Sequence, residues 1–305
     1  ADGFIKFALG ENVKQSNWGE NNNVRFPQTR MGVEQVYYDY FTRAKEYSIK
    51  WKAYQANEDV FEWGKSSVIA PRKDLELDAI AEILDKKRFI TCHSYVQSEI
   101  NMLMHAGDSM GFKVNTFTHI LEGYKVADKM KAHGAGASSF SDWWSYKMEV
   151  KEAIPYNGAI LHKVGVVTAF NSDDAEMARR LNQEAAKAVK YGGVSEEEAL
   201  KFVTLNPAKL LHLDDRMGSI KVGKDADVVL WTDNPLSVYA KADKTIVDGF
   251  IYYDADTDQK LRDDIRKERA RIINLMIQAK KGGEQTQKPE KKEKKEYNCH
   301  EGLQE

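Results

Sequence analysis

The alternation of apolar and polar positions divides the chain into short runs with a period of two and longer runs with a period of about 3.6. The first run, GFIKFAL at residues 3–9, has the strand period and begins almost at once. A polar, Asn-rich stretch follows, GENVKQSNWGENNNVRFPQTR, whose length and composition predict a long functional loop. In MGVEQVYYDYFTRAKEYSIKWKAYQ, Val33, Val36, Tyr37, Tyr40 and Phe41 recur at three- and four-residue spacing and predict an amphipathic helix. DLELDAIAEILDKK predicts another helix, with Leu77, Ile80, Ala81 and Leu84 on one face. RFITCHSY is the next strand. SEINMLMHAGDSMG is a helix with Ile100, Leu103 and Met104 facing inward and Gly111 as its stop. FKVNTFTHI (strand), EGYKVADKMKAHG (helix ending at Gly134), GAGASSFS (short strand), the aromatic loop DWWSYKMEVKEAIPYNG and the strand VGVVTAFNSDD continue the alternation. Two more helical stretches complete it: AEMARRLNQEAAKAVKYGG, and SEEEALKFVTLNPAKLLHL, with a Ser195/Glu198 capping box and a break at Asn206-Pro207.

Five strands separated by helices, with connections too long for hairpins, predict parallel β/α units over residues 1–213. The pattern then changes. Residues 214–255 hold short strands and turns without a helix and predict a small β module. Residues 256–281 predict a helix, and the Lys-rich residues 282–305 a disordered tail.

Composition narrows the function classes. The formal net charge is −2 with 30% charged residues, so nothing in the overall balance calls for nucleic acid or an anionic surface. No segment reaches the roughly 18 consecutive apolar residues of a membrane span. Two cysteines, Cys92 and Cys299, make no disulfide framework, and Cys92 reads as a buried free thiol within a strand.

The chemistry-bearing residues fall at strand ends. His93 ends the second strand, His119 the third, and Asp173 the fifth. In parallel β/α architecture the C-terminal ends of all strands open on one face, so residues far apart in sequence converge there. Histidine and aspartate at such a mouth are ligands for a divalent metal such as zinc. Each also has an ordinary structural role open to it. A strand-end histidine is commonly structural, and Asp173 with Glu176 fits a helix capping box.

The segments TCHSY, FTHILEGYKVAD, FNSDDAEMARRLNQEAAKAV, EEALKFVTLNPAKLLHL and MGSIKVGKDADVVLW together resemble the metal-dependent amidohydrolase superfamily, in its imidazolonepropionase- and prolidase-like branch, over about residues 1–255. The resemblance implies a (β/α)8 TIM-type barrel with a small β-sandwich, here strands four to eight and the C-terminal half of the sandwich. It implies His93, His119 and Asp173 as metal ligands, with Lys6, carboxylated, bridging two metals and Glu11 as the competing bridge. The expected cofactor is one or two divalent ions, zinc foremost. Asp173 would act as the proton acceptor and His119 would steady the carbonyl oxygen. Asp142, Trp143, Trp144 and Tyr124 would shape the pocket. The implied reaction is hydrolysis of a C–N bond in a small cyclic or peptide-like amide, outside ordinary peptide bonds. A prolidase-like dipeptidase, an N-acyl amino acid hydrolase, or an inactive barrel half with a structural role are the alternatives. The His-x-His of the family's first strand has no counterpart in the sequence. The expectation is therefore a C-terminal part whose N-terminal half lies elsewhere, with possible homo-oligomerisation and with localisation open.

Overall fold

The computed structural model describes residues 2–14, 25–58, 69–285 and 287. The predicted tail lies almost entirely outside them, as does the middle of the Asn-rich loop. The chain divides into two compact units, Ala1–Gly218 and Ser219–Glu305.

The first unit is built on a five-stranded parallel sheet in sequential order, β1 Gly3–Ala8, β2 Arg88–His93, β3 Thr116–Thr118, β4 Gly136–Ser139 and β5 Thr168–Phe170. The sheet register sets which side chains share a face. Ala8 pairs with His93 and Lys6 with Thr91, so Phe4, Lys6, Ala8, Phe89, Thr91 and His93 point to one side. Ile5, Phe7, Ile90 and Cys92 point to the other, against the helices.

The connecting helices follow chain order: α1 Glu11–Lys14, α2 Arg30–Glu58, α3 Leu75–Leu84, α4 Gln97–Met110, α5 Ala127–His133, α6 Asn157–Val164, α7 Ala175–Ala178, α8 Leu181–Gly192, α9 Glu196–Lys201 and α10 Leu205–Leu210. The C-terminal stops of α4 and α5 are the predicted ones, while α3 ends at Leu84, short of the predicted stretch, and α5 begins at Ala127. Asp74 caps α3 by accepting from the Glu76 and Leu77 amides, and Gly111 and Gly134 stop α4 and α5 in the left-handed region. The core lies between sheet and helices, where Ile90, Cys92, Phe117 and Ala137 meet Ile100, Leu103, Met130 and Phe41. Phe41 of α2 stacks on Phe112 with ring centroids 3.9 Å apart. Burying each such side chain contributes roughly 1.5–3 kcal/mol.

Three local expectations change. A helix not expected from the sequence, α6, begins at the end of the aromatic loop after β4 and leads into β5. The helix predicted from Ala175 breaks at Arg179–Arg180 into α7 and α8. The break near Asn206-Pro207 falls earlier, between α9 and α10, and Pro207 sits in the first turn of α10, where its missing N–H leaves no gap. Asn206 donates to the Thr168 carbonyl and pins that turn to β5.

The second unit is an antiparallel meander, β6 Val228–Trp231, β7 Ala242–Val247 and β8 Phe250–Asp254, followed by α11 Ala255–Lys281. Asp248-Gly249, both at positive φ, closes the β7–β8 hairpin as a primed two-residue turn requires. Among the described residues of this unit none is buried.

Candidate metal centre

Strand periodicity puts His93 on the helix-free face of the sheet at the end of β2, with 6% of its surface exposed. His119 follows β3 directly. Its backbone is left-handed (φ 62°), an unusual conformation for a residue with a side chain. The turn is held from several sides. The Ile120 amide donates to the Ser138 carbonyl (3.3 Å) and the Leu121 amide to the His119 carbonyl (2.8 Å). The two imidazoles then lie against each other, centroids 4.8 Å apart and planes at 57°.

Asp173 stands three residues beyond β5, also left-handed (φ 48°). The capping role open to it in the sequence belongs to its neighbour. Asp174 is the N-cap of α7 and accepts from the Glu176 and Met177 amides at 2.9 and 2.8 Å. This leaves the Asp173 carboxylate to the strand-end mouth. Its charge is felt at Tyr95, whose buried phenol is pushed well above its usual value by burial first, then by the Tyr146 hydroxyl and by the Asp173 and Glu149 carboxylates. Tyr95 in turn packs edge-on to His93, centroids 4.8 Å apart, and 6.3 Å from His119. His93, His119 and Tyr95 thus form one ring cluster drawn from two strand ends, and the charge of Asp173, from a third, acts on Tyr95.

An aromatic stack flanks it. Phe140, just past β4, lies 5.0 Å from the His119 ring, and Trp143 stacks on Phe140 at 4.2 Å and 13°. Beneath the turn, Asn157 is fully buried at the start of α6. It donates to the Ile120 carbonyl and the Ser139 hydroxyl, each at 2.9 Å, and accepts from the Tyr124 amide at 2.8 Å.

Charged side chains surround the β1–β2 side. Glu99 of α4 is buried and accepts from Lys14 (2.6 Å), Arg30 (3.0 Å) and the Ser94 hydroxyl (3.3 Å). Glu149 accepts from the Glu11 amide at 3.2 Å, and burial pushes its carboxyl up against the pull of Lys147. The Lys147 ammonium lies 3.2 Å from Glu149, 3.8 Å from Glu11 and 4.4 Å over the Tyr95 ring. Burial, and secondarily Glu99, pushes the Cys92 thiol up, consistent with an inert core cysteine.

The remaining sequence candidates are placed as follows. Lys6 shares the His93 face of the sheet, one residue pair below it, and is exposed. Glu11 lies in the first turn of α1 beside Lys147. Asp142 pairs with Lys187 at 2.8 Å, and Trp144 is exposed. Tyr124 turns its hydroxyl to the Glu152 carbonyl. Among the described residues no three His, Cys, Asp or Glu side chains enclose a metal-sized space. The contributions of Tyr95, Phe140 and Asn157 were not anticipated. Tyr95 had a signal, two residues after His93. Asn157 had none, because its helix is not evident from the sequence pattern.

A parallel β/α sheet with paired imidazoles and a carboxylate at its C-terminal rim defines a scaffold of the kind that metal-dependent hydrolases use. The amidohydrolase family profile matches residues 69–252. An amidohydrolase from Thermotoga maritima MSB8 superposes with a TM-score of 0.69 at 30% identity, covering 82% of this chain and 62% of that one. The amidohydrolase tasK of Hapsidospora irregularis is 27% identical over 256 residues, 82% of this chain and 26% of its own length. The urease alpha subunit of Yersinia pestis (strain Pestoides F) is 35% identical over 114 residues, 32% of this chain and 19% of that subunit. The chain belongs to the amidohydrolase family. It spans about a quarter of the length of the curated amidohydrolase it matches.

Proposed function

We propose that this chain contributes the strand-end ligands of a metal-dependent hydrolase that cleaves C–N bonds in small amides. The observation that carries the reading is the contact between the His93 and His119 rings, together with the left-handed backbone at His119 and Asp173. Backbone strain of this kind persists where the surroundings over-determine it, and it concentrates at working sites.

The donor chemistry fits zinc in part. Two imidazoles and a nearby carboxylate are its ordinary ligands, and His93, His119 and Asp173 would hold it. Lys6 is the bridging ligand this reading prefers for a second ion. Glu11 is less suited, since Lys147 already lies beside its carboxylate. Among the described residues no three such side chains surround one point, so this reading requires further ligands for the ion. The sheet supports this view: β1 and β5 each pair on one side only, and Lys6 is exposed on the face opposite the helices. Further strands, completing a barrel in which β1–β5 are strands four to eight, would cover that face.

A bound divalent ion supplies an acidified water and polarises the scissile carbonyl. This chain's own residues do the rest. Asp173 accepts the water proton and returns it to the departing nitrogen. As an alternative to holding the metal, His119, whose next residue Ile120 is pinned by the Ser138 and Asn157 contacts, steadies the carbonyl oxygen. Tyr95, Phe140 and Trp143 make an apolar wall that excludes bulk water and receives the substrate's apolar part.

Zinc titration of the chain, read by calorimetry and by thermal shift, tests the reading. Stoichiometric binding that falls at least about 10-fold in His93→Ala and in His119→Ala is expected. Binding untouched by either substitution refutes the assignment.

A further inference from the structure

We propose that α11 joins two copies of this chain as a parallel two-stranded coiled coil. The helix runs Ala255–Lys281, about 40 Å long, and none of its residues is buried. An isolated helix is marginal in water unless an apolar face is covered. Leu261, Ile265, Ile272 and Leu275 are all exposed, at 57%, 65%, 44% and 55%. With Glu268 and Ala279 they fall at alternating spacings of four and three residues, the period of a heptad seam. Ile265, Ile272 and Ala279 occupy one core position of the heptad; Leu261, Glu268 and Leu275 occupy the other. Isoleucine at the first and leucine at the second favour two parallel strands. Leu261, Ile265, Ile272 and Ile273 line a single apolar groove on the helix surface, bordered by Asp264, Glu268 and Arg269 and open to a matching ridge.

The flanking charges are self-complementary in the parallel arrangement. Asp264 precedes Ile265 and Arg269 follows Glu268, so the Asp264 of each copy meets the Arg269 of the other. In the antiparallel order the flanks that carry Arg262 and Arg269 would face each other. Glu268 is the one charged layer of the seam, and its charge is offset within its own helix by Arg271 at 2.7 Å. The outer face carries both signs interleaved, as in the Arg266–Asp263 pair. A helix made to lie on an anionic membrane has a uniformly basic face instead.

Sedimentation velocity on the full chain at tens of micromolar, with a Cys299→Ser background, tests this. A species of twice the chain mass is expected. Ile272→Glu should weaken the dimer by about 100-fold or more, because it replaces an apolar layer with a second pair of like charges directly beside Glu268. Ile277→Glu, equally apolar and exposed (45%) but on the face away from the seam, should leave it intact. Under mild oxidation Ile272→Cys should form a disulfide between copies, because like core positions face each other in a parallel pair. A monomer at these concentrations overturns the proposal, as does equal sensitivity to both glutamate variants. Failure of Ile272→Cys to cross-link overturns the parallel arrangement. Pelleting of a monomeric chain with phosphatidylserine vesicles, abolished by either glutamate, assigns the helix to a membrane surface instead.

Discussion

Replacing Asn157 by leucine tests whether the His119 turn is held from below. The side chain is fully buried and makes three hydrogen bonds, to the Ile120 carbonyl, the Ser139 hydroxyl and the Tyr124 amide. Leucine fills nearly the same space and removes all three. Each bond contributes about 1 kcal/mol net, and each partner left dry adds about 1–3 kcal/mol. The partners do not suffer equally. The Ile120 carbonyl keeps a bond from the Gly123 amide at 3.0 Å, and the Tyr124 amide is only partly buried. The Ser139 hydroxyl is fully enclosed and bears most of the loss. These terms sum to about 4–6 kcal/mol, and leucine's buried apolar surface returns about 1.5–3, leaving a net loss of about 3 kcal/mol. With a urea dependence of about 2 kcal/mol/M, the midpoint should fall by about 1.5 M, measured by far-ultraviolet circular dichroism. The same variant should move the His119 ring signals in a proton–nitrogen NMR spectrum, since the turn after it loses its support. A midpoint change below about 0.5 M, with unmoved His119 signals, refutes the account.

Two further tests bear on other contacts. Gly192 of α8 faces Ala159 of α6 so closely that an added Cβ would stand 2.1 Å from the Ala159 methyl, which cannot rotate away. Gly192→Ala should therefore cost about 1–3 kcal/mol, and Ala159→Gly in the same chain should recover most of it, as a double-mutant cycle in urea will read. His133 is buried and accepts the Val114 amide at 3.1 Å, and burial holds its pKa below the usual histidine value. The unfolded chain then takes up a proton that the folded one resists. Stability should fall as the pH drops below about 6.5, by at most about 1.4 kcal/mol per pH unit from this group. His133→Gln should flatten that slope in denaturation curves measured between pH 7.5 and 5.5, and an unchanged slope refutes the assignment.

The parallel sheet was legible because its strands are short apolar runs with helices of clear period between them, each closed by a glycine or opened by an acidic cap. What escaped notice was local. The α6 segment follows Pro155 and contains Gly158, so its propensity is weak, and packing against the sheet decides its conformation. Gly158 is kept there by Phe170, whose ring carbon would lie 2.4 Å from a Cβ. At the rim, adjacent aspartates made the cap ambiguous, and only the backbone turn at Asp173 hands the cap to Asp174. His93 and His119 could be placed from spacing alone. Their mutual ring contact depends on the left-handed turn at His119, which the sequence does not announce.

The stack of His119, Phe140 and Trp143 has a dynamic consequence. A phenylalanine ring flips about its own axis only when its neighbours part. Phe140 lies between an imidazole 5.0 Å away on one side and an indole 4.2 Å away on the other, and is itself 1% exposed. Its flip rate therefore counts how often the wall beside His119 opens. Any ligand that wedges the rings together should slow that clock, whether or not it reacts.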